Sequence, residues 1–254
     1  MQSLGVDRPF VCPIAVVPRA ARNETESMTE PIEPPMAQPS TPLAVELHQR
    51  LGQETRAAVD LMVTAPASFV LASASPRRRE LLQSLRLPFE VAPAGIDEIP
   101  AAGETPKQFA ARAAGEKAAF VAARHPRRHV LAADTVVALD NVIFGKPRDR
   151  ADAVRMLRAL SGVTHRVFTA VVLLGDDARE EARLVETQVG FRAIAAGEIE
   201  SYVDGGEPFD KAGAYGIQGE AARFVNAVVG SYSNVIGLPL EEVAAMLSEA
   251  ARLS

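Results

Sequence analysis

Apolar and polar positions change their period several times along the chain, and each change predicts an element. From Leu43 to Met62 the positions Leu43, Val45, Leu47, Leu51, Ala58, Leu61 and Met62 partly follow helical spacing. The pattern predicts an amphipathic helix, packed loosely on the body or solvated rather than serving as a partner-binding element. Ser68–Ser73 is a short apolar run suited to a buried strand, and Ser75 followed by Pro76 supplies a cap and a first-turn residue for a helix. Glu90–Ala92 reads as a second strand. Thr105–Arg124 reads as a helix with Phe109, Ala113 and Phe120 facing inward. Val130–Leu139 is a buried strand, Asp140-Asn141 a two-residue hairpin turn, and Val142–Phe144 the returning strand. Arg150–Leu160 follows as a helix, Arg166–Leu174 and Leu184–Arg192 as strands, and Glu198–Val203 and Leu240–Leu253 as helices. No internal repeat is visible. Strands interleave with helices and include a hairpin, so the fold class is α/β or α+β with a mixed sheet.

Composition divides the chain in two. Half of the 18 prolines lie in residues 1–66, whereas only Gly5 and Gly52 of the 17 glycines do. Residues 1–66 are therefore expected to be a mostly disordered leader, apart from the helix at 43–62, and residues 67–254 a folded domain. With a net charge of −5 the chain has no global basic field to hold a nucleic acid polymer, so phosphate chemistry must come from a local cluster. A lone cysteine, Cys12, can form neither an internal disulfide nor a cysteine metal cage, which favours a reducing, cytoplasmic setting. Pro9–Val17 follows Asp7 with no basic n-region, contains Pro13 and is not followed by a small-residue cleavage site, so no signal peptide is expected, and no apolar run is long enough to span a membrane.

Three constellations carry chemistry. Ser73, Ser75, Arg77, Arg78 and Arg79 stand at a strand-to-helix junction, where cations oppose the positive end of the helix dipole. Together with free backbone N–H groups they form a candidate phosphate cradle, with a solvated arginine face as an even alternative. No Walker A pattern is present. Asp134 interrupts an apolar strand, a costly place for a carboxylate unless it binds metal, accepts hydrogen bonds or emerges at a functional end. Asp97 and Glu98 offer a second carboxylate pair. Lys117, Lys146 and Lys211 lie beside structured turns or in a helix. Lys211 belongs to Glu207-Pro-Phe-Asp-Lys-Ala-Gly-Ala-Tyr-Gly-Ile-Gln-Gly219, where Gly213, Gly216 and Gly219 would let backbone approach a ligand and Gln218 could read a base edge. His165 is expected to be a packed or surface imidazole rather than a base.

In this order, Leu71-Ala-Ser-Ala-Ser-Pro-Arg-Arg78, Ala133-Asp-Thr-Val-Val137, Gly145-Lys-Pro147, Leu160-Ser-Gly162 with His165, Asp210–Gly219 and Gly230-Ser-Tyr-Ser-Asn-Val-Ile-Gly-Leu-Pro239 closely resemble the Maf family of nucleotide pyrophosphatases over about residues 68–250. The resemblance implies an elongated α/β fold similar to the inosine triphosphate pyrophosphatases, with two lobes around a cleft, and a homodimer. It implies hydrolysis of nucleoside triphosphates to monophosphate and pyrophosphate with Mg2+ or Mn2+, in nucleotide-pool housekeeping. By it, Asp134 is the proton acceptor; Arg77, Thr135 and Gln218 match specificity positions; Ser75, Arg78, Lys117, Lys146 and Lys211 line the phosphate path; and Glu98 and Asp134 are the expected metal ligands. The block ending at Gly219 looks like the branch acting on dTTP and UTP. The alternatives are 7-methyl-GTP or another modified nucleotide, or a binding role in septation. The leader before Ser68 departs from the family pattern, whose members begin near that strand.

Overall fold

The computed structural model describes residues 42–253 except 63, 67 and 178. The leader up to residue 41, including Cys12, lies outside them. In chain order the elements are α1 (Pro42–Leu61), β1 (Phe69–Leu71), α2 (Pro76–Ser84), β2 (Phe89–Val91), α3 (Pro106–Ala122), β3 (His129–Leu139), β4 (Val142–Phe144), α4 (Arg150–Leu160), β5 (Thr164–Leu174), β6 (Glu180–Phe191), α5 (Ala196–Asp204), β7 (Val225–Val229), α6 (Tyr232–Ile236) and α7 (Leu240–Leu253). Three short 3-10 turns, Glu207–Asp210, Ala212–Ala214 and Glu220–Phe224, join α5 to β7. The α/β expectation with a mixed sheet holds.

The seven strands form one sheet in the order β2-β1-β3-β5-β6-β7, with β4 also on β3. β1 runs parallel to both β2 and β3; the remaining pairings are antiparallel. Alternate residues of β3 supply two separate cores. Leu131, Ala133 and Val137 face the larger one, with α4, α5 and α7, while Val130, Ala132 and Val136 face a smaller one made largely by α3. The inner face of α3 repeats at helical spacing through Phe109, Ala110, Ala113, Ala114, Lys117, Ala118 and Val121. Its alanines let the helix lie close to the sheet. Thr105 and Gln108 close a reciprocal capping box at its start, and Pro106 occupies the first turn.

One feature of β3 positions the site. On one edge β3 is paired by β5 from Val130 to Ala138. On the other, β1 pairs only as far as Leu131 and β4 begins at Val137, so among the described residues no strand covers β3 between them. Ala72 N–H donates to Leu131 O, after which the chain turns away into α2. Asp134 and Thr135 thus lie at a gap beyond the carboxyl end of a parallel strand, the usual location of ligands in open α/β sheets.

Several expectations required adjustment. Periodicity anticipated neither β7, an edge strand whose middle residues are exposed, nor α6, whose five residues are too few to show a period. β5 starts at Thr164, which puts His165 inside the strand rather than in the preceding turn. The helix expected as a loose or solvated appendage is instead seated on α6 and α7, with Leu47 and Ala58 in the larger core and the carboxylate of Glu54 buried.

Candidate functional site

Asp134 is 3% exposed, and the alternation along β3 puts its side chain on the same side as Ala132 and Val136, toward α3. There Lys117 Nζ lies 2.6 Å from Asp134 Oδ1 and 2.7 Å from Glu98 Oε1. Lys117 is itself buried. Burial pushes the Asp134 carboxyl upward, against the charges of Lys117 and Arg78. For Glu98 burial acts in the same sense, but the hydrogen bond from Lys117 and the charges of Lys117 and Lys146 outweigh it and hold the carboxyl below its ordinary range. The proton affinities of the two acids are therefore driven apart, that of Asp134 upward and that of Glu98 downward.

Thr135 projects to the opposite side of the sheet, where α2 brings Arg78. The Ser75 hydroxyl caps α2 by accepting from Arg78 N–H at 3.4 Å, and Pro76 fills the first turn, as the sequence predicts. The Arg78 guanidinium then spreads over three acceptors: Gly237 O at 2.8 Å, Thr135 Oγ1 at 3.0 Å and Ser73 Oγ at 3.4 Å. Burial lowers its pKa, offset by the charges of Asp134 and Glu98. Gly237, at φ 125°, has the left-handed backbone that favours glycine, and a Cβ there would stand 3.4 Å from Thr135 Oγ1 and 3.6 Å from Arg78 Nε. Thr135 continues inward through Thr169 Oγ1 at 3.0 Å to Asn234 O, also at 3.0 Å.

The other expected residues fall around this pair of clusters. Arg77 and Lys211 meet at Asp210, with contacts of 3.0 Å to Oδ2 and 2.5 Å to Oδ1. Burial works to raise the Asp210 carboxyl, but its hydrogen bonds to those two cations hold it low. Lys146 is exposed at the start of the segment after β4. Arg79 is exposed, matching the solvated reading for that arginine alone. Gln218 is half-buried between the second and third 3-10 turns. His165 is a core residue: its Nε2 meets Tyr215 Oη at 2.8 Å, the ring packs edge-on against Phe191 and Tyr215, and burial lowers its pKa to about 4.

The glycine-rich block corrects one expectation. A Cβ on Gly213 would meet Val137 at 2.9 Å, and one on Gly219 would overlap the Glu207 carboxylate. These glycines make room for the protein's own side chains, Val137 on β3 and Glu207, rather than for a ligand. Glu207 in turn accepts from Tyr202 Oη and Glu220 N–H at 2.9 Å each, which fixes the loop that carries Gln218.

Sequence reasoning gave no role to Gly237, Asn234, Thr169 or Asp210. A hydroxyl in the apolar run of β5 was the available signal for Thr169; the others depend on contacts between distant segments. As to a metal, no group of three His, Cys, Asp or Glu residues able to hold one occurs among the described residues. Asp134 and Glu98 nevertheless already converge on one cation, the Lys117 ammonium. Two such carboxylates suit a hard divalent ion that completes its shell with water and phosphate oxygens, as Mg2+ commonly does.

The arrangement offers a buried acid with a raised pKa, a second acid held charged, and cations on both sides of an uncovered strand edge. That is the equipment for binding a polyanion and removing a proton from an attacking water. The model of the Maf-like protein family matches residues 68–250. A dTTP/UTP pyrophosphatase of Myxococcus xanthus (strain DK1622) is 55% identical over 181 residues, covering 71% of this chain and 91% of the relative. Proteins with the same name from Koribacter versatilis (strain Ellin345) and Caulobacter vibrioides (strain ATCC 19089 / CIP 103742 / CB 15) are each 49% identical, covering 71% and 74% of this chain and 93% and 97% of their own. Among solved structures, a HAM1 protein from Coxiella burnetii aligns over 72% of this chain and all of its own at 17% identity, with a TM-score of 0.42. Because the family match takes in every one of the expected site residues and most of the chain, the chain belongs to the Maf-like protein family.

Proposed function

We propose that this chain is a nucleoside triphosphate pyrophosphatase that hydrolyses dTTP and UTP to the monophosphate and pyrophosphate. The observation that carries the reading is the placement of Asp134, Lys117 and Glu98 on one side of β3 and of Thr135 and Arg78 on the other, at the stretch of edge left uncovered between β1 and β4. The relatives named dTTP/UTP pyrophosphatase support the choice of substrate.

In this reading the triphosphate lies along the gap. Arg78, Lys117, Lys146 and Lys211 balance its charge, with the Ser75 hydroxyl as a further donor, since capping α2 uses only an acceptor lone pair of that oxygen. Asp134 takes the proton of a water whose oxygen attacks the α-phosphorus; the bond from that phosphorus to the α–β bridging oxygen breaks, and pyrophosphate leaves. A carboxyl with a pKa raised by burial is a stronger base for this step than an exposed aspartate. Asp134 and Glu98 are the residues that would hold Mg2+ or Mn2+, and such an ion, when bound, polarises phosphoryl oxygens and offsets their charge. Arg77, Thr135 and Gln218 select the nucleoside. No helix among the described residues is long and apolar enough to cross a membrane. Homodimerisation and a role in clearing nucleotide pools belong to the same proposal on the family resemblance, and a cytoplasmic setting on the lone cysteine.

The substrate is tested with dTTP, UTP, CTP, ATP, GTP and 7-methyl-GTP on the wild type and on Gln218→Glu. The reading predicts preference for dTTP and UTP and a changed dTTP-to-UTP ratio in the variant. Preference for 7-methyl-GTP, or an unchanged ratio, contradicts it.

A further inference from the structure

The carboxylate of Glu54 lies outside the family match, which starts at residue 68, yet it is buried against the element that backs the site. Its Oε1 accepts from Tyr232 N–H at 2.6 Å; its Oε2 accepts from Ser233 N–H at 2.8 Å and from the Ser231 hydroxyl at 3.1 Å. Those amides open α6 and have no partner within the helix. Ser231 Oγ meanwhile accepts from Asn234 N–H at 3.1 Å, so the three opening amides of α6 are all satisfied, two of them by α1. One turn earlier, Arg50 donates to Val228 O at 3.1 Å and to Gly230 O, tying α1 to the strand that leads into α6.

From α6 the contacts run directly into the site. The Asn234 side chain donates to Val167 O and Thr187 Oγ1, the Asn234 backbone carbonyl accepts from the Thr169 hydroxyl, and Thr169 meets Thr135. Gly237, the residue after α6, accepts from Arg78 Nε. Arg78 and Thr135 are therefore both oriented by a five-residue helix that would be too short to hold itself in place.

We propose that Glu54 is a positioning residue: through α6 it fixes the carbonyls of Asn234 and Gly237 and so sets the geometry of Thr135 and Arg78. Helix α1 is thereby part of the enzyme's working structure rather than an appendage. This rests on reading Arg78 and Thr135 as substrate-binding groups.

The test compares wild type, Glu54→Ala and the isosteric Glu54→Gln for dTTP hydrolysis with Mg2+, at a temperature where circular dichroism shows each of them folded, and records melting temperatures separately. Expected is a fall in kcat of about tenfold in Glu54→Ala with KM changed less than threefold, and partial recovery in Glu54→Gln, whose amide oxygen can still accept from one of the two N–H groups. A lowered melting temperature with unchanged kcat and KM in both variants overturns the proposal and leaves Glu54 a structural cap. If Glu54→Ala does not fold, Glu54→Gln decides by the same criterion: a smaller fall in kcat supports the proposal and an unchanged kcat overturns it. Asp134→Asn is assayed alongside. If it turns over at the wild-type rate, the reading of the site and this inference both fall. If it is inactive while the Glu54 variants are unaffected, only this inference does.

Discussion

Lys117 Nζ stands 2.6 Å from Asp134 Oδ1, and both side chains are almost closed to solvent. The ammonium is carried there by the apolar face of α3, and Glu98 reaches the same nitrogen from the loop before that helix. Replacing Lys117 with Met keeps most of the volume but leaves two neighbouring carboxylates without their shared cation. Removing one partner of a buried ion pair typically costs about 3–5 kcal/mol. We expect a loss of that order for Lys117→Met at pH 7.5 by urea denaturation, shrinking as the pH is lowered and the acids protonate. A loss below about 1 kcal/mol would show that the pair does not constrain the folded state.

Arg78 uses three different nitrogens on Gly237, Thr135 and Ser73. Lysine keeps the charge but cannot reproduce that fork from one ammonium. Arg78→Lys should therefore lower kcat/KM for dTTP about 100-fold, in the range seen when one preorganised transition-state donor is removed. A value within twofold of wild type would mean that charge alone suffices and that the guanidinium contacts are incidental.

His165 gives a pH dependence with a definite sign. Burial holds its pKa near 4, below the ordinary value of 6.5, so between those values the unfolded chain binds a proton that the folded chain does not. The stabilising effect is complete above pH 6.5 and declines as the pH falls toward 4. At about 1.4 kcal/mol per pKa unit, some 2 kcal/mol is lost on going from pH 7 to pH 5. Wild type should lose about that much more than His165→Gln over the interval, measured by urea denaturation at both values. Equal losses would contradict a neutral core imidazole.

Legibility in the sequence followed how local the physics was. The cap at Ser75, the first-turn Pro76 and the bounds of α4 and α7 are set by neighbouring residues, and all were readable. Asp134 stood out because a carboxylate in an apolar strand needs a compensating partner, and Lys117 proved to be one. That Lys117 falls on the apolar face of α3 was a usable signal too. By contrast, Glu54 meets Ser231, Tyr232 and Ser233 across 177 to 179 residues, and no local pattern announces such a pairing. The spacing of Gly213, Gly216 and Gly219 suggested room for a ligand; the space is taken by side chains of the same fold, which only three-dimensional packing reveals.

In the proposed reaction water, deprotonated by Asp134, cuts between the α and β phosphates. It is tested by following dTTP and Mg2+ with wild type and Asp134→Asn, measuring pyrophosphate, orthophosphate and dTMP at early times and nucleotide binding by calorimetry. Expected are dTMP and pyrophosphate in equal amounts from the wild type, and in Asp134→Asn a loss of turnover of about 1,000-fold or more with binding retained. Orthophosphate as the first product, or near-normal turnover by Asp134→Asn, would contradict it.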